Sequence, residues 1–314
     1  MLNRRHLRIK ILHILYAFYQ DEEQDIATTK KALDHSIKKM QELYVLLLLM
    51  IGSMQGFAIE RIENGRKKQL PSPEDLHPNT RFVTNSPLRT ITNSKMLEKV
   101  AKDAGVGWGE HQEMLRKIFR SLTEHEEYAD YMNSDERSFR HDRECLIRMF
   151  RKHMINHELF QENLEELCIF WNDDLDLAAS MVIKTIKTIK EDADDFELLP
   201  LWREDEDDKQ FLEVLFSKSL SQAQENEALI TEAAANWELE RIALMDRILM
   251  KMALAEARNF PSIPLKVTLN EYIELSKYYS TPKSNGFING ILDELFTKLK
   301  KDGTIKKSGR GLIE

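Results

Sequence analysis

Apolar residues recur at helical spacing almost from the start of this chain. Leu7, Ile11, Ile14, Leu15 and Phe18 follow one another at three and four residues, the period that stacks side chains on one helix face. On the same wheel His6, Lys10, His13, Ala17 and Gln20 make a narrow polar strip, which predicts a helix buried on two sides. A longer periodic stretch, Lys30 to Glu63, has a centre, Leu43 to Ile51, that is apolar all round. Helical patterns then run from Lys95 to Leu122, broken near Gly105, Gly107 and Gly109, from Asp135 to Ile155, from Glu158 to Trp171 and from Leu175 to Lys190. From Asp208 the pattern predicts three successive helices. In the third, which opens near Trp237, Leu239, Ile242, Met245, Ile248, Leu249, Met252 and Ala255 form the apolar face, with Glu240, Arg247, Lys251 and Arg258 along the polar edge. Arg241 and Asp246 fall inside the apolar arc, so each must be paired, hydrogen-bonded or turned into an interface.

Punctuation refines these elements. Pro71, Pro73, Pro78 and Pro87 crowd the segment Lys67 to Asn93, which reads as a surface loop. Pro261 and Pro264 end the long apolar helix; Thr268 and Glu271 fit a capping box that predicts a short helix from Leu269 to Tyr279; Ser284, after Pro282, is a plausible N-cap for the closing helix. Asn289 and Gly290 conflict with that last helix, and a close backbone approach is the expected reason for the glycine. Neither Gly nor Pro occurs from Glu110 to Leu199, which points to an all-α fold. No repeat of fixed period is present.

Charge and cysteine content narrow the function classes. Cys145 and Cys168 are too few for a disulfide framework, and the basic start has no cleavage pattern, so a reducing, cytoplasmic location is expected. The run Leu43 to Ile51 is far shorter than the roughly 20 residues a bilayer needs, and no membrane association is expected. The net charge of -8 opposes nucleic-acid binding, but its distribution does not. Residues 1–20 carry Arg4, Arg5, Arg8 and Lys10 with no acid, and residues 191–208 carry ten acids against Arg203. The basic cluster reads as a solvated helix start or a phosphate site, and cations there oppose the helix dipole. The acidic segment reads as a linker, a nucleic-acid mimic or a docking strip. The tail, Lys298 to Arg310, with six basic residues and one acid, reads as a frayed end or an added attraction for RNA.

Catalytic and metal readings fare poorly. His153 and His157, and His141 and Cys145, sit four apart, but neither pair has a third ligand, so no metal or other cofactor is expected. Gly105 to Gly109 lacks the Lys and Ser/Thr of a phosphate-binding loop, and no strand and helix alternation supports a nucleotide fold. The chain is not expected to be an enzyme.

Two stretches together carry a family resemblance: the opening RRHLRIKILHILYAFYQ, with Arg4, Arg5, Arg8, Leu15 and Tyr16, and the segment Trp237 to Phe296, whose Phe287 to Asp293 read FINGILD. In this order they resemble the NusB family of transcription antitermination proteins. The resemblance implies an all-α, NusB-like helical bundle with a large helical insertion. It divides the chain into an N-terminal helix (1–24), the insertion with its Pro-rich loop and acidic linker (25–207), the C-terminal part of the bundle (208–300) and a basic tail (301–314). It implies binding of single-stranded boxA-like RNA with the ribosomal protein NusE, within the transcription elongation complex and in support of ribosomal RNA transcription. Carried over residue by residue, Arg4, Arg5 and Arg8 would contact phosphates with His6 assisting, Tyr16 and Phe287 would offer aromatic contacts, Lys283 and Ser284 would reach a phosphate, and Asp246 would lie on the NusE face. Gly286 departs from the family, which can place Lys before the Phe. The alternative is a protein-only helical adaptor that uses the insertion for recognition.

Overall fold

A computed structural model describes residues 1–21, 23, 25–234 and 242–312 of the 314-residue chain. Among the described residues there is no strand, and the single β-bridge joins Leu2 to Trp202. Helix α1 (Arg4–Gln20) is capped by Asn3, whose carboxamide oxygen accepts from the His6 amide at 3.2 Å. Helix α2 (Ile26–Arg66) extends beyond both ends of its apolar pattern. By composition and length an 18-residue window of α2 could cross a membrane, but 67% of that window is buried inside the protein, as in a core helix.

The chain forms two compact units, one from residues 36–201 and one from 2–35 with 202–314. The first holds the rest of α2 with α3 (Pro73–Leu76), α4 (Ser86–Thr92), α5 (Lys95–Ala104), α6 (Gln112–Glu124), α7 (Glu126–Asn133), α8 (Phe139–Met149), α9 (Glu158–Leu167) and α10 (Leu175–Thr188). One expectation is corrected in part here. The Pro-rich segment lies at the surface from Lys67 to Thr80, with only the short α3, but from Arg81 it is packed: it contains α4 and buries Phe82, Leu88 and Ile91, because Asn85 caps α4 and also donates to the Tyr131 hydroxyl at 2.9 Å. The boundary between the two units falls within the acidic segment, and the part of it in this unit is held by hydrogen bonds. Asp195 accepts from the Ser94 hydroxyl and the Met96 amide, and the Leu199 amide donates to the Tyr44 hydroxyl at 3.2 Å. Gly105, at φ 66°, ends α5 in the left-handed conformation and breaks the helix as expected.

The second unit packs α1 and the first residues of α2 with α11 (Asp205–Ser221), α12 (Ala223–Ala233), α13 (Leu244–Asn259), α14 (Leu265–Tyr279) and α15 (Ser284–Lys301). Helix α13 is its centre, packed by α1, α11, α12, α14 and α15, and its residues from Ile248 to Ala257 are buried almost without exception. The expected start of this helix at Trp237, with Leu239, Glu240 and Arg241, lies outside the described residues. Helix α14 begins at Leu265, one turn earlier than the capping-box pattern predicts. Thr268 is instead inside the helix and fully buried, since its hydroxyl has a better partner in the Glu256 carboxylate at 2.9 Å. Helix α15 runs through Asn289 and Gly290, yet a Cβ at Gly290 would meet nothing within 4 Å, so close packing is not the reason for the glycine. The tail is packed rather than frayed through Ser308: Ile305 is buried, and the Ser308 amide donates to the Pro261 carbonyl at 3.0 Å.

Candidate nucleic-acid interface

Helices α1 and α14 run in the same direction, because Arg5 at the start of α1 meets Glu271 in the middle of α14 and His13 meets Tyr279, its last residue, two turns later, with ring centroids 5.0 Å apart. Helix α15 returns antiparallel after the turn at Ser280, so its first residues belong to the Tyr279 end and its last to the Arg5 end. This topology divides the residues expected to touch RNA. Arg4, Arg5 and His6 occupy one end of α1, and Tyr16 lies toward the other end, with Lys283, Ser284 and Phe287. From Arg5 to Tyr16 the helix rises about 16 Å at 1.5 Å per residue. The two groups form the ends of a strip rather than one cluster.

At the first end the three arginines differ sharply. The Arg5 guanidinium is exposed and donates twice to Glu271, at 2.8 and 3.0 Å. Arg4 is half-buried, with its guanidinium 5.2 Å from the Phe211 ring centroid. Arg8 corrects the expectation of a phosphate contact, because its side chain is 4% exposed and forms a bidentate pair with the fully buried Glu256 at 2.7 and 2.8 Å. The Thr268 and Tyr272 hydroxyls complete the shell of Glu256, at 2.9 and 3.2 Å. Burial penalises the Arg8 charge, and the Glu256 carboxylate more than offsets it, holding the guanidinium above its ordinary value. Burial and then the same carboxylate push the Tyr272 phenol well above its usual range. Carboxylates from α13 and α14 therefore explain why α1 tolerates cations at its positive end. Lys10, expected on the polar strip, is buried as well.

His6 supplies no charge near neutral pH. Burial, followed by the neighbouring cations, pushes its imidazole down to about 4, and its Nδ1 lies 2.8 Å from the Asn3 carboxamide oxygen. A groove lined by Arg4, Arg5, Arg203, Glu204, Asp208 and Glu271 opens beside this tip, so the exposed cations stand among acids.

The second end uses its polar residues internally. Asp246 is 5% exposed and accepts from the hydroxyls of Ser280 and of Ser284, the latter at 2.7 Å. Asp246 thus fastens the turn between α14 and α15 and is not an open partner contact. Ser284 is buried, is the first residue of α15 rather than its N-cap, and is not available to a phosphate. Lys283 is exposed, Tyr16 is 38% exposed and Phe287 is half-buried. Sequence reasoning missed Glu256 and Glu271, the partners of the arginines. The signal was present in the polar residues Thr268, Glu271 and Tyr272 on a helix that packs against α13.

The cations of α13 serve the bundle too: Arg247 and Lys251 pair with Glu227 at 2.7 and 2.6 Å, and Arg258 pairs with Glu225 at 2.5 Å. Among the described residues no group of three or more His, Cys, Asp or Glu could hold a metal; His153 instead meets Glu127 at 2.7 Å, and His141 lies 3.3 Å from Arg81.

An all-helical bundle centred on α13, with a cationic start to α1 held by the carboxylates of Glu256 and Glu271, defines the class. The chain belongs to the NusB family. A family model described as NusB matches residues 174–296, which begins at α10, ahead of the position near 208 where the motifs resume. The chain is 43% identical over 110 residues to the Transcription antitermination protein NusB of Salinibacter ruber, covering 35% of this chain and 69% of that protein. It is 42% identical over 106 residues to the protein of the same name from Chloroherpeton thalassium, covering 34% of this chain and 50% of that one. With the one from Natranaerobius thermophilus it shares 36% over 92 residues, covering 29% and 66%. The chain thus spans between half and about two thirds of these relatives. No solved structure matches it.

Proposed function

We propose that this protein is a cytoplasmic, RNA-binding transcription antitermination factor that holds single-stranded boxA-like RNA with the ribosomal protein NusE, supporting ribosomal RNA transcription in the elongation complex. The observation that carries this reading is the 43% identity to a protein named for transcription antitermination. The distribution of accessible groups supports it. Arg4 and Arg5 offer cations at one end of α1, Lys283 offers another at the far end, and Tyr16 and Phe287 offer rings on which unstacked bases can lie. Arg8 contributes by positioning, since its pair with Glu256 fixes α1 against α13, and Asp246 acts on a partner face through the turn that it holds. A titration of labelled boxA-like RNA, with and without NusE, tests the reading. The expected result is an RNA-dependent complex tightened by NusE, whose log affinity falls with log salt at a slope of about -2, from three phosphate contacts at about -0.7 each.

A second reading rests on the first unit, of which residues 36–173 lie outside the family match and carry their own core. In that reading the protein is a helical adaptor that recognises a protein partner through the insertion. No RNA-dependent complex at any salt is the result that would replace the first reading with this one.

A further inference from the structure

A second group of cations in the second unit lies away from the start of α1. A groove of about 460 Å³ lies between the first half of α14 and the last half of α15 and is closed by the tail. Lys266, Lys300 and Lys307 line it together with one acid, Asp293. Its wall is apolar, formed by Leu265, Leu269 and the exposed Leu312, with Phe296 at its base. Lys307 is placed rather than free, since its ammonium donates to the Phe260 carbonyl at 3.0 Å. Burial pushes that ammonium down to about 8, a state that a phosphate would reverse. The first turn of α14 has no side-chain cap, so its positive end adds to the same field.

Contacts link this groove to the basic tip. The Arg4 guanidinium lies over Phe211, the Phe211 and Phe260 rings are 4.8 Å apart, and Lys307 is bound to Phe260. The groove and the tip occupy the same end of the bundle and flank α14 on different faces: Val267 and Glu271 face the tip, Lys266 and Asn270 the groove.

We infer that this groove is a second binding site for single-stranded RNA, taking the phosphates and a base of the strand that continues past Arg4 and Arg5. The inference rests on the RNA-binding reading proposed above. Three lysines against one acid suit a polyanion, and an apolar wall beside them suits the face of an unstacked base. A strand bound at Arg4 and Arg5 reaches the groove by rounding the first half of α14, whose Val267 and Glu271 line the tip and whose Lys266 and Asn270 line the groove. The basic tail thereby acts as one wall of a site.

The test compares a boxA-like strand with the same strand extended at its 5′ or 3′ end, using the full-length protein. Lys266 and Lys300 are exposed, so the double variant Lys266→Gln/Lys300→Gln keeps the fold, which circular dichroism and the thermal midpoint verify. The wild type is expected to bind one of the extended strands more tightly and with a steeper salt slope. In the double variant that slope becomes shallower by about 1.4, two contacts at about 0.7 each, while binding of the short strand is unchanged. Lys307→Gln, measured separately, is expected to change the slope for the extended strand in the same sense. If both strands bind the variants as they bind the wild type, the groove is not part of the RNA path and the tip remains. If the wild type binds neither strand, the RNA-binding reading falls and this inference falls with it.

Discussion

The starts of α1 and α15 both present polar residues at the end of a helix, and the bundle uses them differently. At α1, Arg8 is consumed by Glu256 while Arg4 and Arg5, one turn earlier, keep access to solvent. At α15, Ser284 is consumed by Asp246 while its neighbour Lys283 stays exposed. In each case one residue secures the helix and an adjacent one is left for a ligand. Motif position alone does not separate the two roles; burial and the identity of the partner do. A buried charge must be met by an opposing charge and hydrogen bonds, whereas an exposed one gains little from a partner and can exchange it.

Substitutions at each end should separate securing residues from binding ones. The largest effect is expected from Glu256→Ala, which removes the bidentate partner of the Arg8 guanidinium, leaving it the Glu271 carboxylate at 3.3 Å, and strands two hydroxyls. Loss of about 3–5 kcal/mol in denaturant unfolding of the second unit is expected, and a cost under about 1 kcal/mol would break the distinction between Arg8 and Arg5. Asp246→Ala should cost about 2–3 kcal/mol, because a buried carboxylate and two hydroxyl donors lose each other, with the RNA salt slope unchanged in the variant that remains folded. A changed slope would return Asp246 to the binding surface. Glu271→Gln acts in the opposite sense. It frees Arg5 from an ionic competitor, so RNA affinity should rise about three- to fivefold, as expected for a partly exposed pair of up to about 1 kcal/mol. The smallest effect is expected at Gly290, where Ala should stabilise α15 by about 0.5–1 kcal/mol, since no neighbouring atom obstructs a Cβ and the gain is helical propensity alone.

The all-α class and most helices of the second unit were legible because their apolar period is long and their breaks fall at prolines. The ordered Pro-rich segment was not, because Asn85, Tyr131 and Asp142 meet only in the folded chain and their hydrogen bonds override the loop-like composition. The candidate site was legible as a set of residue types but not as an arrangement. The basic tip could be read at Arg4 and Arg5, but Arg8 looked the same as they did, because its distinguishing partner lies 248 residues away at Glu256. Thr268 and Glu271 imitated a capping box for a similar reason: each had a tertiary partner, Glu256 and Arg5, that the local pattern does not reveal. The separation of Arg5 from Phe287 follows from helix direction, which periodicity does not encode.

The most direct test of the central claim is the salt dependence of boxA-like RNA binding by Arg4→Ala/Arg5→Ala beside the wild type, with Arg8 untouched. The wild type is expected to give a slope of about -2 and the double variant about -0.7, as Lys283 alone remains in contact, with the fold preserved because Glu256 keeps its partner. A folded double variant that retains the wild-type slope and affinity would contradict the account and remove the start of α1 from the site.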